Sequence, residues 1–190
     1  MKDWDVFAVA GPSGVGKSTV SYALARRLGV AVAEADDLFH AIESVTTPEQ
    51  QPAIHHWRTR PEARELPSER MLELHLETCR AMSPAIASVI NNHIETRLPV
   101  VLDGDYILPE LIARFPDRVK AVFLYEDDQA RILENYLSRE PGEGNQLRRA
   151  QVSVLFGGWL RDECARHDLA AIPVRPWRTA VERAIAAALA

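Results

Sequence analysis

Gly11-Pro12-Ser13-Gly14-Val15-Gly16-Lys17-Ser18 follows directly on the apolar run Val6-Phe7-Ala8-Val9-Ala10 and leads into a helical stretch from Lys17 to Leu28. The spacing G-x-x-x-x-G-K-S in that setting constrains the chain more than any other feature it carries. A short, continuous apolar run is the pattern of a strand buried on both faces. Glycines after it let the backbone curl so that successive N–H groups converge on an anion. The helix opening at Lys17 adds the positive end of its dipole. The loop therefore predicts binding of a nucleotide's phosphates at Gly11, Ser13, Gly14, Val15, Gly16, Lys17, Ser18 and Thr19. Lys17 supplies a point charge to the β- and γ-phosphates, and the Ser18 hydroxyl ligates Mg²⁺.

The rest of the chain alternates strand and helix patterns. Val30–Ala33 predicts a second strand after Gly29, which is placed to end the first helix, and residues 37–45 predict a helix. Four prolines between Pro48 and Pro67 predict loop, with a short helix at His55–Arg60. Ser68–Met82 predicts a helix, and Ser83-Pro84 predicts the start of a separate one reaching about Thr96. Pro99–Leu102 reads as a third strand closing on Asp103-Gly104-Asp105, and Arg118–Tyr125 as a fourth after a helix near Pro109–Phe115. Helices are expected over Asp128–Arg139, Gln146–His167 and Thr179–Leu189, with a mobile loop at Pro141–Asn145 and a fifth strand at Leu169–Val174. This alternation predicts an α/β protein: a parallel sheet, right-handed crossovers and helices on both faces. At 190 residues the chain is expected to form a single domain.

In such sheets ligands sit at the carboxyl ends of the strands. Gly11–Thr19, Asp36-Asp37, Asp103–Asp105, Glu126-Asp127 and Arg175–Trp177 thereby become one rim. Asp103, at the end of an apolar strand, is the candidate second holder of Mg²⁺, with helix capping as its alternative and Asp105 as the weaker candidate. Asp36 and Asp37 are candidates to orient and deprotonate an acceptor hydroxyl, with Asp37 favoured; either could instead cap the helix that follows. Arginines from Arg131 through Arg139 to Arg148-Arg149 bracket the Pro/Gly loop. They predict a cationic lid over about residues 128–150, with Arg139 or Arg148 acting on phosphate. Arg175 and Trp177 offer flat side chains to an adenine ring, or Trp177 simply packs. The insert over about residues 38–97, with His40, His55, His56, Trp57, Arg58 and Arg60, is expected to shape the acceptor pocket.

Composition excludes more than it identifies. Nineteen arginines and three lysines stand against 27 acidic residues, for a net charge of -5. That balance gives no basic footprint for nucleic acid. The two cysteines, Cys79 and Cys164, form neither a disulfide framework nor a zinc pattern and are expected to be buried thiols in a reducing compartment. No apolar run approaches the roughly 18 residues of a membrane span. Val6–Ala10 is too short for a signal-peptide core, so a cytoplasmic location is expected.

Taken together, GPSGVGKST, the acidic pair, the long insert, Val100-Val101-Leu102-Asp103-Gly104-Asp105 and the arginine-rich lid resemble the small-molecule kinases of the phosphate-loop class. That group includes gluconate and shikimate kinases, adenylylsulfate kinase, 2-phosphoglycerate kinase and chloramphenicol phosphotransferase. Ala35-Asp36-Asp37-Leu38-Phe39-His40 resembles the gluconate-kinase stretch after the second strand, although Ala41-Ile42-Glu43 lacks the basic residues found there. The stretch Phe156–Trp177 is more similar to 2-phosphoglycerate-kinase-like proteins. The resemblance implies a three-layer fold with a five-stranded sheet of order 2-3-1-4-5, ATP and Mg²⁺, Asp37 or Asp36 as base, and a lid arginine on the phosphates. The function expected is transfer of the γ-phosphoryl group of ATP to a hydroxyl of a small metabolite or drug, by a monomer or homodimer. The competing expectations are an ATP-hydrolysing switch of the AAA kind and a polynucleotide kinase.

Overall fold

The computed structural model describes residues 3–142 and 146–189. Five strands alternate with helices: β1 (Val6–Ala10), β2 (Ala31–Glu34), β3 (Val100–Gly104), β4 (Val119–Tyr125) and β5 (Ala170–Pro173). They pair in the order β2-β3-β1-β4-β5, every pair parallel. The helices are α1 (Lys17–Leu28), α2 (Ala35–Val45), α3 (Pro52–Thr59), α4 (Ser68–Thr96), α5 (Pro109–Ile112), α6 (Gln129–Arg139), α7 (Gln146–Arg166) and α8 (Ala180–Leu189).

Side chains alternate across a strand, and the two cores divide accordingly. Val6, Ala8 and Ala10 join Val100, Leu102, Ala121 and Phe123 against α4, α5 and α7. Phe7 and Val9 join Val101, Val122 and Leu124 against α1, α6 and α8. Both faces of β1 are therefore apolar, and its run of five buried residues follows from its central place in the sheet. The same period of two sets Asp103 on the Val101 face, under α1. In the register of the sheet Asp103 lies beside Val9 on one side and Glu34 on the other.

The expected break at Ser83-Pro84 is not there. α4 runs for 29 residues with Pro84 inside it. A proline at that position removes one helical N–H and crowds the preceding turn. Burial outweighs this cost. Cys79, Met82, Ile86 and Ile90 recur at helical spacing, each fully buried in the same core, and each large apolar side chain among them contributes about 1.5–3 kcal/mol. A restart at Ser83 would throw the second half off that face. The Ser83 hydroxyl, read from sequence as a cap, donates instead to the Cys79 carbonyl at 3.0 Å.

A 3₁₀ turn over Pro61–Glu65 occupies part of the expected proline-rich loop, and the other differences are of one to three residues at element ends. The expected loop at Pro141–Asn145 falls partly on residues 143–145, which lie outside the described residues. No helix among the described residues is long and apolar enough to cross a membrane.

Candidate active site

The phosphate loop turns at Gly11 and closes at Gly16, both at positive φ (144° and 93°). A Cβ on Gly11 would lie 2.1 Å from the Leu124 carbonyl oxygen, and one on Gly16 would lie 2.2 Å from the Trp177 ring. Glycine is therefore required twice over at each position, by backbone conformation and by space. Lys17 opens α1, is 8 % exposed, and donates to the Pro12 carbonyl at 3.2 Å. The buried Val15 side chain anchors the loop to the core beside α1.

Ser18 and Asp103 meet across this corner. The Ser18 hydroxyl donates to Asp103 Oδ2 at 2.8 Å, and Ser21, one turn along α1, donates to Oδ1 at 2.9 Å. Burial pushes the Asp103 carboxyl up, while Lys17 and the two serine hydroxyls pull it back. Asp103 thus lies within β3 and caps no helix. A hydroxyl and a carboxylate side by side are hard oxygen donors of the kind Mg²⁺ takes. Among the described residues no group of three or more His, Cys, Asp or Glu could hold a metal by itself.

Two cavities open on either side of the loop. The smaller, about 360 Å³, is lined by Gly14, Gly16, Lys17, Ser18, Thr19, Asn135, Ser138, Arg139 and Trp177. The larger, about 660 Å³, is lined by residues of α3, α4, α6 and α7. Lys17, Ser18 and Arg139 line both, so the cavities adjoin at those three side chains.

Asp36 and Asp37 part company here. α2 begins at Ala35, so both sit inside its first turn and neither occupies the cap position, which is Glu34. Successive helical residues point about 100° apart. Both side chains are exposed on α2, but Asp36 lines the larger cavity together with Ser13 and His40 and Asp37 lines neither. Protein crowded around the Asp36 carboxyl, with the negative charge of Asp105 beside it, pushes Asp36 up to about 6. Asp105 also lines the cavity. Its burial is opposed by the Lys17 ammonium, and it lies below the ordinary carboxylate range.

The lid arginines are held rather than loose. Arg139 pairs with Glu140, and Arg148 donates to Glu65 Oε2 at 3.0 Å and to the Arg64 carbonyl at 3.3 Å, joining α7 to the turn before α4. Arg148 lines only the larger cavity. Trp177 covers Gly16 beside the smaller cavity. Arg175 lines neither cavity and instead donates to Glu126 at 2.9 Å, its guanidinium 5.5 Å from the Trp177 ring.

Several lining residues were not singled out from the sequence. His75, Tyr106 and Phe156 wall the larger cavity, with His75 edge-on to Phe156 at 4.7 Å and Tyr106 stacked on Phe39 at 5.0 Å. Burial holds the His75 imidazole below its usual value, which favours the neutral ring. Asn135 donates to the Gly14 carbonyl at 2.8 Å. It stands four residues before Arg139, and that spacing alone puts the two on one helical face. Of the insert's histidines, His55 is structural: it is buried and tied to Thr46 and Arg58 at 3.0 and 2.8 Å.

No protein-family model matches the chain, and no curated protein matches it significantly. Solved structures do. A gluconokinase from Sinorhizobium meliloti 1021 superposes with a TM-score of 0.61 at 22% identity, covering 100% of this chain and 94% of that one. A shikimate kinase from Bacteroides thetaiotaomicron gives 0.53 at 17% identity, covering 94% of each chain. A sugar kinase from Janibacter sp. HTCC2649 gives 0.51 at 19% identity over 96% of this chain and 92% of that one. This chain shares the fold of these three solved kinases, a five-stranded parallel sheet flanked by helices. At these identities the likeness is one of architecture, and the chemistry of the phosphate-loop corner rests on the residues described above.

Proposed function

We propose that this protein is an ATP-dependent kinase that transfers the γ-phosphoryl group to a hydroxyl of a small metabolite or drug. The observation that carries this reading is the meeting of the two cavities at Lys17, Ser18 and Arg139. A nucleotide with its phosphates on the loop occupies the smaller cavity, with adenine toward Trp177. An acceptor occupies the larger one, and the phosphoryl group crosses where they adjoin. The bounded, aromatic-walled acceptor cavity of about 660 Å³ and the net charge of -5 favour a small molecule over a polynucleotide.

Catalysis on this reading is positioning plus charge stabilisation. Lys17 and Arg139 face the charge that develops on the migrating phosphoryl oxygens. Asp36, rather than Asp37, accepts the proton of the acceptor hydroxyl, because it faces the cavity and its raised value suits a base working near neutrality. Ser18 and Asp103 would hold Mg²⁺, which when bound supplies neutralising charge to the phosphate oxygens. Trp57, Met71, Tyr106 and Phe156 exclude water from the acceptor side.

The test is a screen of pooled hydroxylated metabolites and drugs with Mg·ATP, read as the mass gain of one phosphoryl group. The expected result is an acceptor whose phosphorylation disappears with Lys17→Ala. Robust ATP hydrolysis with no acceptor phosphorylated, or concentration-dependent hexamer formation, would count against the reading.

A further inference from the structure

Glu140, the residue after α6, joins the two helices of the lid. Its Oε1 accepts from Arg139 Nε at 2.8 Å and Nη2 at 2.7 Å, and its Oε2 accepts from Arg149 Nη1 at 2.6 Å. Arg139 comes from the last turn of α6 and Arg149 from the first turn of α7. Gln146 secures the junction from the α7 side: its amide donates to the Glu140 carbonyl at 2.9 Å, and its oxygen accepts from Arg149 at 2.9 Å.

Both guanidinium groups lie over one ring. Arg149 is 4.3 Å and Arg139 5.7 Å from the centroid of Tyr136. Tyr136 is itself buried, its hydroxyl 3.0 Å from Ser153. Two like charges gathered on one ring repel, and the Glu140 carboxylate is the counter-charge that holds them together. Arg149 keeps that carboxyl below its ordinary range. Arg139 lines both cavities and Arg149 the acceptor cavity. Half-exposed ion pairs of this kind contribute little to stability, so what the cluster provides is aim.

We propose that Glu140 is a positioning residue, holding Arg139 and Arg149 as a two-armed clamp on the border between the cavities, where phosphoryl charge develops. The proposal rests on the kinase reading and adds Arg149 to the groups that face phosphate. Glu140 itself lines the larger cavity beside the two arginines. Its carboxylate, engaged by both guanidinium groups, fixes the direction in which their free N–H groups point.

The test compares wild type with Glu140→Gln and Glu140→Asp. ADP release from Mg·ATP, with water in the acceptor's place, is measured alongside the ATP dissociation constant and Tm. Removing the carboxylate leaves both positive charges in place, so ATP binding stays equal or tightens. Turnover falls about tenfold or more because the arginines no longer converge on the transferring group, and Glu140→Asp restores part of it. Turnover unchanged in Glu140→Gln overturns the clamp while leaving the kinase reading intact, as does a loss of turnover matched by an equal loss of ATP affinity. A wild-type chain that binds no Mg·ATP overturns both. Should Glu140→Gln not fold, Arg149→Lys tests the same device, since it keeps the charge but not the fork; turnover equal to wild type there overturns the clamp.

Discussion

The Ser18 hydroxyl and the Asp103 carboxylate, 85 positions apart in the chain, lie 2.8 Å from each other at the floor of the phosphate loop. Ser18 comes from the first turn of α1 and Asp103 from the end of β3, and Ser21 holds the second carboxylate oxygen in place. Asp103→Asn keeps the size of the group and loses its charge. The expected outcome is an Mg²⁺ requirement raised about tenfold or more, with metal-free nucleotide binding retained. Turnover titrated against Mg²⁺ checks it; an unchanged half-saturation point would remove Asp103 from the metal site.

Asp36→Asn is expected to lower transfer by about 10²–10⁴-fold, the range for loss of a positioned base, while Asp37→Asn has little effect. If Asp36 is the base, wild-type activity is expected to fall about tenfold per pH unit below about 6, where Asp36 takes up its proton. Stability moves the other way. A carboxyl whose folded value lies above its unfolded one holds its proton more tightly in the fold. Ionising it as pH rises from the ordinary carboxylate range to about 6 therefore weakens the structure. At neutral pH Asp36→Asn should melt about 2–4 °C above wild type. Calorimetry of the two proteins decides the point; a lower Tm contradicts it.

Gly16 and Trp177 are coupled by contact. Gly16→Ala places a methyl group 2.2 Å from the ring, at a backbone φ of 93°. The cost is expected to be about 2 kcal/mol or more from strain and overlap together. Trp177→Ala opens the space but leaves the backbone strain. The double variant should therefore recover part, and not all, of the loss. A double-mutant cycle by denaturant unfolding measures the coupling, and strict additivity would show that the ring gives way freely.

Pro84→Ala should raise stability by about 1 kcal/mol. The helix gains an N–H on an exposed face without disturbing the buried row at Cys79, Met82, Ile86 and Ile90. A destabilised Pro84→Ala would show that the proline packs or bends α4 in a way the core depends on.

Much of the architecture was legible because its signals are local. The β1 run, the glycine spacing of the loop and the alternation of strand and helix stretches each record a short-range rule, and all five strands appear within a few residues of where those rules put them. The Ser83-Pro84 signal was equally local and failed, because the row of apolar side chains that overrides it acts through burial against β1, β3 and α7. Asp36 and Asp37 show the limit from another side. Their carboxylates are the same chemical group in adjacent positions, and only the start of α2 at Ala35 decides which of them faces the cavity.

By itself the sequence determined the phosphate loop, the parallel sheet around it and the apolar strands that bury it. Each depends on residue types at fixed spacings along the chain. The tertiary structure alone decided which side chains converge: Asp103 on Ser18 and Ser21, Trp177 on Gly16, Glu140 on two arginines, and His75, Tyr106 and Phe156 around a cavity no contiguous stretch contains. Such a site is assembled from the ends of several elements. Its geometry is set by how the helices pack across the sheet, and the spacing of residues along the chain carries no record of that packing.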